Sequence, residues 1–138
     1  MLNQNRQIGW LALMMILLAM IACTLPVNQG DLTVNDRPIV FDLRGEVDHT
    51  WEAQLTPSQK YEVVVRNLDT IHPINQIMIV VSGDDLVNIA EPIVYRDNTA
   101  TTSFEAPVDG QVRIVVISLI GELQEELGKH EVLIQSSR

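Results

Sequence analysis

Few side chains in this sequence are of a type that does chemistry, and their spacing decides what they can do. The histidines are His49, His72 and His130, too far apart in sequence for a pair three to five residues apart of the kind zinc sites use. Asp84-Asp85 and Asp97-Asn98 fall in loop-like stretches and offer hard oxygen ligands. Calcium is therefore the candidate ion, with Asp84, Asp85 and Asp97 as its candidate ligands, although no EF-hand pattern surrounds them. Asp and Asn are also ordinary turn residues. Ser82 and Ser103 lie in no G-x-S-x-G elbow, and acid pairs abound in a chain this acidic, so pairing alone nominates no catalytic dyad. The expectation is a protein that is not an enzyme and needs no cofactor beyond that calcium. Trp51 and Tyr95 are the aromatic side chains that could stack on a sugar ring. Trp51, however, shares its alternation face with Val47, Ala53 and Leu55, which places it in a core rather than on a platform, so Tyr95 is the better platform candidate.

The one remaining reactive side chain is Cys23, the only cysteine. It ends the apolar run IGWLALMMILLAMIAC, Ile8 to Cys23, which follows a polar head, Met1–Gln7, with Arg6 as its one charge. Polar head, apolar middle and small residues before a cysteine are the parts of a secretory signal. Met20-Ile21-Ala22-Cys23 resembles a bacterial lipobox, with Met20 where Leu is usual. That resemblance implies a diacylglycerol on the Cys23 sulfur and cleavage that makes Cys23 the first mature residue. The alternative is an uncleaved membrane helix: residues 8–25 are 18 without a charge, near the lower limit for spanning a bilayer, with Trp10 at one interface and Pro26 past the exit. Both readings place the rest of the chain at the extracytoplasmic face of a membrane.

Removal of residues 1–22 leaves 116 of the 138 residues, enough for one domain with a real core. No cysteine remains beyond Cys23 to form a disulfide, so that domain rests on packing. The formal charge of −9 becomes −10 when Arg6 leaves. Such an acidic surface excludes nucleic acid, whose phosphates need a basic face, and opposes flat adsorption to anionic lipid. Residues 24–36 mix Pro, Gly, Asn and Asp without a period and read as a tether. The expected organisation is a signal or membrane segment at 1–22, a tether at 23–36 and a domain at 37–138.

From Arg37 the hydrophobic period is two. Ile39, Phe41 and Leu43, then Val47 to Leu55, then Tyr61, Val63 and Val65 alternate with polar neighbours. Ile77–Val81 is apolar on both sides, which suits an interior strand, and Gln111–Leu119 is a further apolar strand. Leu86–Arg96 is a less regular strand interrupted at Pro92, expected at an edge or bulge. Thr101–Ala106 and Glu131–Gln135 complete the set, and Pro107-Val108-Asp109-Gly110 is a turn. Gly121–Lys129 fits either a short helix stopped by Gly128 or a long hairpin loop. About eight strands between closely spaced turns describe an all-β fold, an antiparallel two-sheet sandwich of jelly-roll-like form, after an N-terminal apolar signal or anchor helix.

Gly45 to Trp51, Phe104 to Val116 and Glu131 to Ile134 together resemble the bacterial pre-peptidase C-terminal domain, over roughly residues 37–136. This chain has His49-Thr50-Trp51 where that family usually has paired aromatics and Gln111-Val112 where Gly-x-Tyr is common. The resemblance implies a non-catalytic β-sandwich, usually an appendage of a secreted enzyme or surface protein, with calcium bound in certain members. Two functions are compatible with these residues. The first is a membrane-anchored module that joins an envelope or extracellular protein through loops or an edge strand such as Leu86–Arg96. The second is a carbohydrate-binding module, calcium-assisted, in which Trp51 or Tyr95 contacts a glycan.

Overall fold

The computed structural model describes residues 27–69, 76–90, 93–95 (backbone), 98–122 and 125–137. The apolar run, the lipobox and Cys23 therefore lie outside the described residues, as do His72, Pro92 and Asp97. Among the described residues the chain forms nine strands and no helix, so none is long and apolar enough to cross a membrane. In chain order they are β1 (Val27–Asp31), β2 (Ile39–Arg44), β3 (His49–Gln54), β4 (Lys60–Asn67), β5 (Ile77–Ser82), β6 (Ile93–Tyr95), β7 (Thr99–Glu105), β8 (Gln111–Ser118) and β9 (Glu126–Ser136).

Two sheets hold them, in the orders β1-β3-β8-β5-β6 and β2-β9-β4-β7. With β1 set aside, each sheet has four strands and every pairing is antiparallel, the double Greek-key order of a jelly roll. The period of two explains the layering. Along β7 and β8 every second residue is buried, so Ala100, Thr102 and Phe104 of one sheet and Val112, Ile114 and Val116 of the other all point into the interior. β4 and β5, both rich in Val and Ile, lie inside their sheets, β4 between β9 and β7 and β5 between β8 and β6. The expected turn at Pro107 closes with the Gly110 amide donating to the Pro107 carbonyl at 2.9 Å. Gly110 has φ +72, and a Cβ there would stand 2.1 Å from the Leu55 carbonyl oxygen, so only glycine suits that turn.

Three expectations change. Within the stretch expected as a tether, Val27–Asp31 is a strand that pairs in parallel with β3, and Leu32 after it is buried. Its residues show no hydrophobic period because β1 is an edge strand held mainly by backbone hydrogen bonds. Glu126–Lys129 is not helical: it opens β9, an 11-residue strand. Asp42 pairs with Lys129 and Arg44 with Glu126, so Leu43 opposes two residues, Leu127 and Gly128, and Gly128 with φ +95 forms the bulge. The bulge interrupts the period of two at the start of β9, so the strand is not announced by alternation there. Finally, Leu86 to Asn88 turns back toward β5 rather than extending as strand, with Leu86 at φ +61. Among the described residues of that stretch only Ile93–Tyr95 is strand, at the sheet edge that Pro92 suggests.

Candidate functional site

The parallel pairing of β1 with β3 gives the sandwich two distinguishable poles. At one lie Val27, His49 and the start of β9; at the other lie Asp31, Gln54 and the start of β8. The second pole carries a groove of about 760 Å³, within the ordinary range of ligand sites. Buried Leu32, Ala53, Leu55 and Val112 form its floor, and Asp31, Asn35, Gln54, Asp84, Gln111 and Arg113 its polar walls.

Several wall residues are fixed in place. Asn35 donates from Nδ2 to Ser136 Oγ at 3.2 Å and accepts the Ser136 amide on Oδ1 at 3.1 Å, pinning the β1–β2 connection onto β9. Gln54 Nε2 donates to the Asp109 carbonyl at 3.0 Å. Arg113 pairs with Glu52 at 3.3 Å, both half-exposed, so the pair is a positioning contact of small energy. Beneath them the Tyr61 hydroxyl accepts the Thr56 amide at 3.1 Å and donates to Gln59 Oε1 at 3.2 Å. The groove thus presents carboxylates and amides suited to hydroxyl or amide groups of a ligand. Its residues are not arranged as a nucleophile beside a base: His49 and His130 lie at the other pole, and the Ser103 hydroxyl donates to Glu62 at 3.4 Å.

Those two histidines form a buried cluster around Phe41, whose ring centroid is 5.2 Å from His49, 6.0 Å from His130 and 4.9 Å from Trp51. His49 Nε2 accepts the Arg44 amide at 3.2 Å. A neutral imidazole has one donor nitrogen, so Nδ1 carries the proton. The Gln29 amide Nε2 stands 3.1 Å from Nδ1, and rotation of that amide, whose oxygen and nitrogen are interchangeable, presents its oxygen to the Nδ1 proton. Both nitrogens of His49 are committed, which leaves no lone pair for a metal. Burial pushes the His49 pKa down to about 4, helped by the charges of Arg44 and His130. Burial also lowers that of His130, partly opposed by its hydrogen bond to the Gly128 carbonyl at 3.1 Å and by Asp69. The cluster is neutral and structural at neutral pH. Gln29 gave no signal in the sequence, because a lone polar residue in a Gly- and Asn-rich stretch looks like a linker.

The expected site residues separate. Trp51 is fully buried, edge-on to Phe41 at 73°, so it is a core residue and offers no sugar platform. Tyr95 pairs with Ile77 on the edge strand β6, and only its backbone is described. Asp84 lies on the groove wall, whereas the neighbouring Asp85 accepts the Val87 amide at 3.2 Å within its own turn. Among the described residues no three His, Cys, Asp or Glu side chains are grouped to share an ion.

Neither a protein-family model nor a curated protein matches the sequence. Solved structures do match the fold. The pre-peptidase C-terminal domain of a Bacillus anthracis collagenase superposes with a TM-score of 0.58 at 12% identity, covering 80% of this chain and 99% of that one. CorA, a surface-associated copper-binding protein of Methylomicrobium album BG8, gives 0.59 at 8% identity over 83% and 100% of the two chains. PliG, a periplasmic inhibitor of g-type lysozyme from Aeromonas hydrophila, gives 0.52 at 9% over 80% and 100%. At these identities the likeness is one of fold, and it bears out the resemblance of residues 37–136 to the pre-peptidase C-terminal domain at that level.

Proposed function

We propose that this chain is a non-catalytic interaction module held at the extracytoplasmic face of a membrane through Cys23, with the groove as its ligand-facing end. The observation that carries the reading is the placement of the two poles. β1 begins at Val27, four residues after Cys23, so only Thr24, Leu25 and Pro26 separate the lipobox from the sheet. Three residues reach about 10 Å when extended. β8, running between the poles, is eight residues or about 27 Å long. A lipid on Cys23 would therefore hold the β1 end close to the bilayer and leave the groove facing outward, where an envelope or extracellular protein can reach it. The edge strand β6 offers a second route to such a partner, by strand addition.

A glycan remains the alternative ligand, favoured by the amide and carboxylate walls rather than by an aromatic platform. Its hydroxyls would donate to the Asp31 and Asp84 carboxylates and exchange hydrogen bonds with the Gln54 and Gln111 amides. Replacing Cys23→Ala tests the anchor: the precursor is expected to keep its apolar run and to lose incorporation of labelled fatty acid. Processing and labelling unchanged from wild type would overturn the lipid anchor, and an unlabelled, uncleaved wild type would assign the uncleaved helix instead.

A further inference from the structure

The outward face of the five-stranded sheet changes character from one pole to the other. Inward residues Ile77, Ile79, Val81, Ile114 and Val116 fill the core, so Met78, Val80, Arg113, Val115 and Ile117 point outward. The register sorts them into rows. Nearest the β1 start, Ile117 stands beside Met78, with the exposed Leu119 beyond the strand end. The next row is Asn28, Thr50, Val115 and Val80. The third is Asp31, Glu52, Arg113 and Ser82, and Gln54 beside Gln111 ends the face at the groove. Within the paired strands the two rows at the anchor end contain no charged side chain, and the exposed Asp48, one residue before β3, brings an acid to the margin of the first. The outer face of the other sheet is laced with charge, including Asp42–Lys129 at 3.1 Å and Arg66–Glu131 at 2.8 Å.

We infer that the anchor-end half of this face, Met78, Val80, Val115, Ile117 and Leu119, rests on the lipid bilayer, leaning the domain so that the charged sheet and the groove face water. The inference rests on the anchoring proposed above and adds an orientation to it. The occupant follows from where the chain leads: the 18 uncharged residues 8–25 are separated by Pro26 alone from β1, which is the edge strand of this same sheet and begins at this same pole. A surface this close to the bilayer meets it at high effective concentration, so a small apolar patch suffices where it would not in free solution. The acidic net charge opposes the contact little, because the strand acids of this face, Asp31 and Glu52, stand in the third row, Glu52 beside Arg113, and Asp48 lies only at the margin of the patch.

The test uses the full chain in phosphatidylcholine vesicles, with an environment-sensitive fluorophore on single variants Met78→Cys, Ile117→Cys, Val40→Cys and Val108→Cys. Wild type labelled in parallel corrects for any reaction at Cys23, and thermal melts confirm that each variant folds as wild type does. Val40 lies on the outer face of the other sheet and Val108 at the groove pole, both exposed. With a nitroxide placed just below the lipid headgroups, emission at positions 78 and 117 is expected to fall about twofold or more, and at 40 and 108 by less than about a tenth, as interfacial burial requires. If the chain sediments with vesicles but 78 and 117 are unquenched, or all four positions are quenched alike, the orientation is overturned while the anchor stands. If 78 and 117 are unquenched and the chain runs as a dimer, a second copy covers the face and the orientation is equally overturned. A chain that does not sediment overturns both.

Discussion

Between pH 7 and pH 4 the protein is expected to lose about 3 kcal/mol of unfolding free energy through His49 alone. Its folded-state pKa of about 4 lies below the unfolded value of 6.5, so the unfolded chain takes up the proton first as the pH falls. The stabilisation is complete above pH 6.5, is lost on the way down to pH 4, and falls no further below that. The cause is local. An imidazolium at this position would set an N–H against the Arg44 amide and would stand buried beside Phe41 and Trp51. His130, also lowered by burial, adds to the loss in the same direction. Urea unfolding of wild type and His49→Gln at pH 7, 5.5 and 4 measures the effect. The slope between pH 7 and 5.5, where exposed carboxylates contribute little, should be clearly smaller in the variant. Equal slopes would show that His49 is not held neutral by the fold.

The second large effect is expected at Trp51. It is fully buried and touches Phe41 edge-on at 4.9 Å, so Trp51→Ala should destabilise by about 4 kcal/mol. Its Nε1 has no hydrogen-bond partner among the described residues, so Trp51→Phe forfeits volume but no hydrogen bond, and should cost roughly 1–2 kcal/mol. Urea midpoints by circular dichroism give both values. A surface platform would behave otherwise, with Trp51→Ala within about 0.5 kcal/mol of wild type. The ordering of the two variants also reports on the orphaned indole N–H: a Phe variant as unstable as the Ala variant would mean that Nε1 does find a partner.

These two side chains show how far the sequence could be read. Trp51 is placed in the core by alternation alone, since Val47, Ala53 and Leu55 share its face and strand pleating allows no other side. The strands at Ile39, Tyr61 and Thr101 were legible for the same reason, Ile77–Val81 by its unbroken apolar run, and the turn at Gly110 by its residue types; β6 and the first half of β9 were not. His49 shares that face too, but nothing local shows that the Arg44 amide and Gln29 will meet its two nitrogens, because those contacts depend on how β1 and β2 approach β3. The groove is hidden for a related reason: Asp31, Gln54, Asp84 and Arg113 lie far apart in sequence and meet only through sheet order. β1 carried no hydrophobic period, since an edge strand bonded through its backbone needs none. Gly121–Lys129 stayed ambiguous because it joins a turn to the start of β9, where the bulge at Leu127 and Gly128 interrupts the period of two.

The proposed anchoring of the domain by its β1 end turns on what Cys23 carries. The intact mass of the chain extracted from membranes of cells that make it, with its N-terminal residue identified, measures this directly. The expected result is a chain beginning at Cys23 with the mass of a diacylglycerol added to its sulfur. A chain that still begins at Met1, or one that begins beyond Cys23 without lipid, would contradict it.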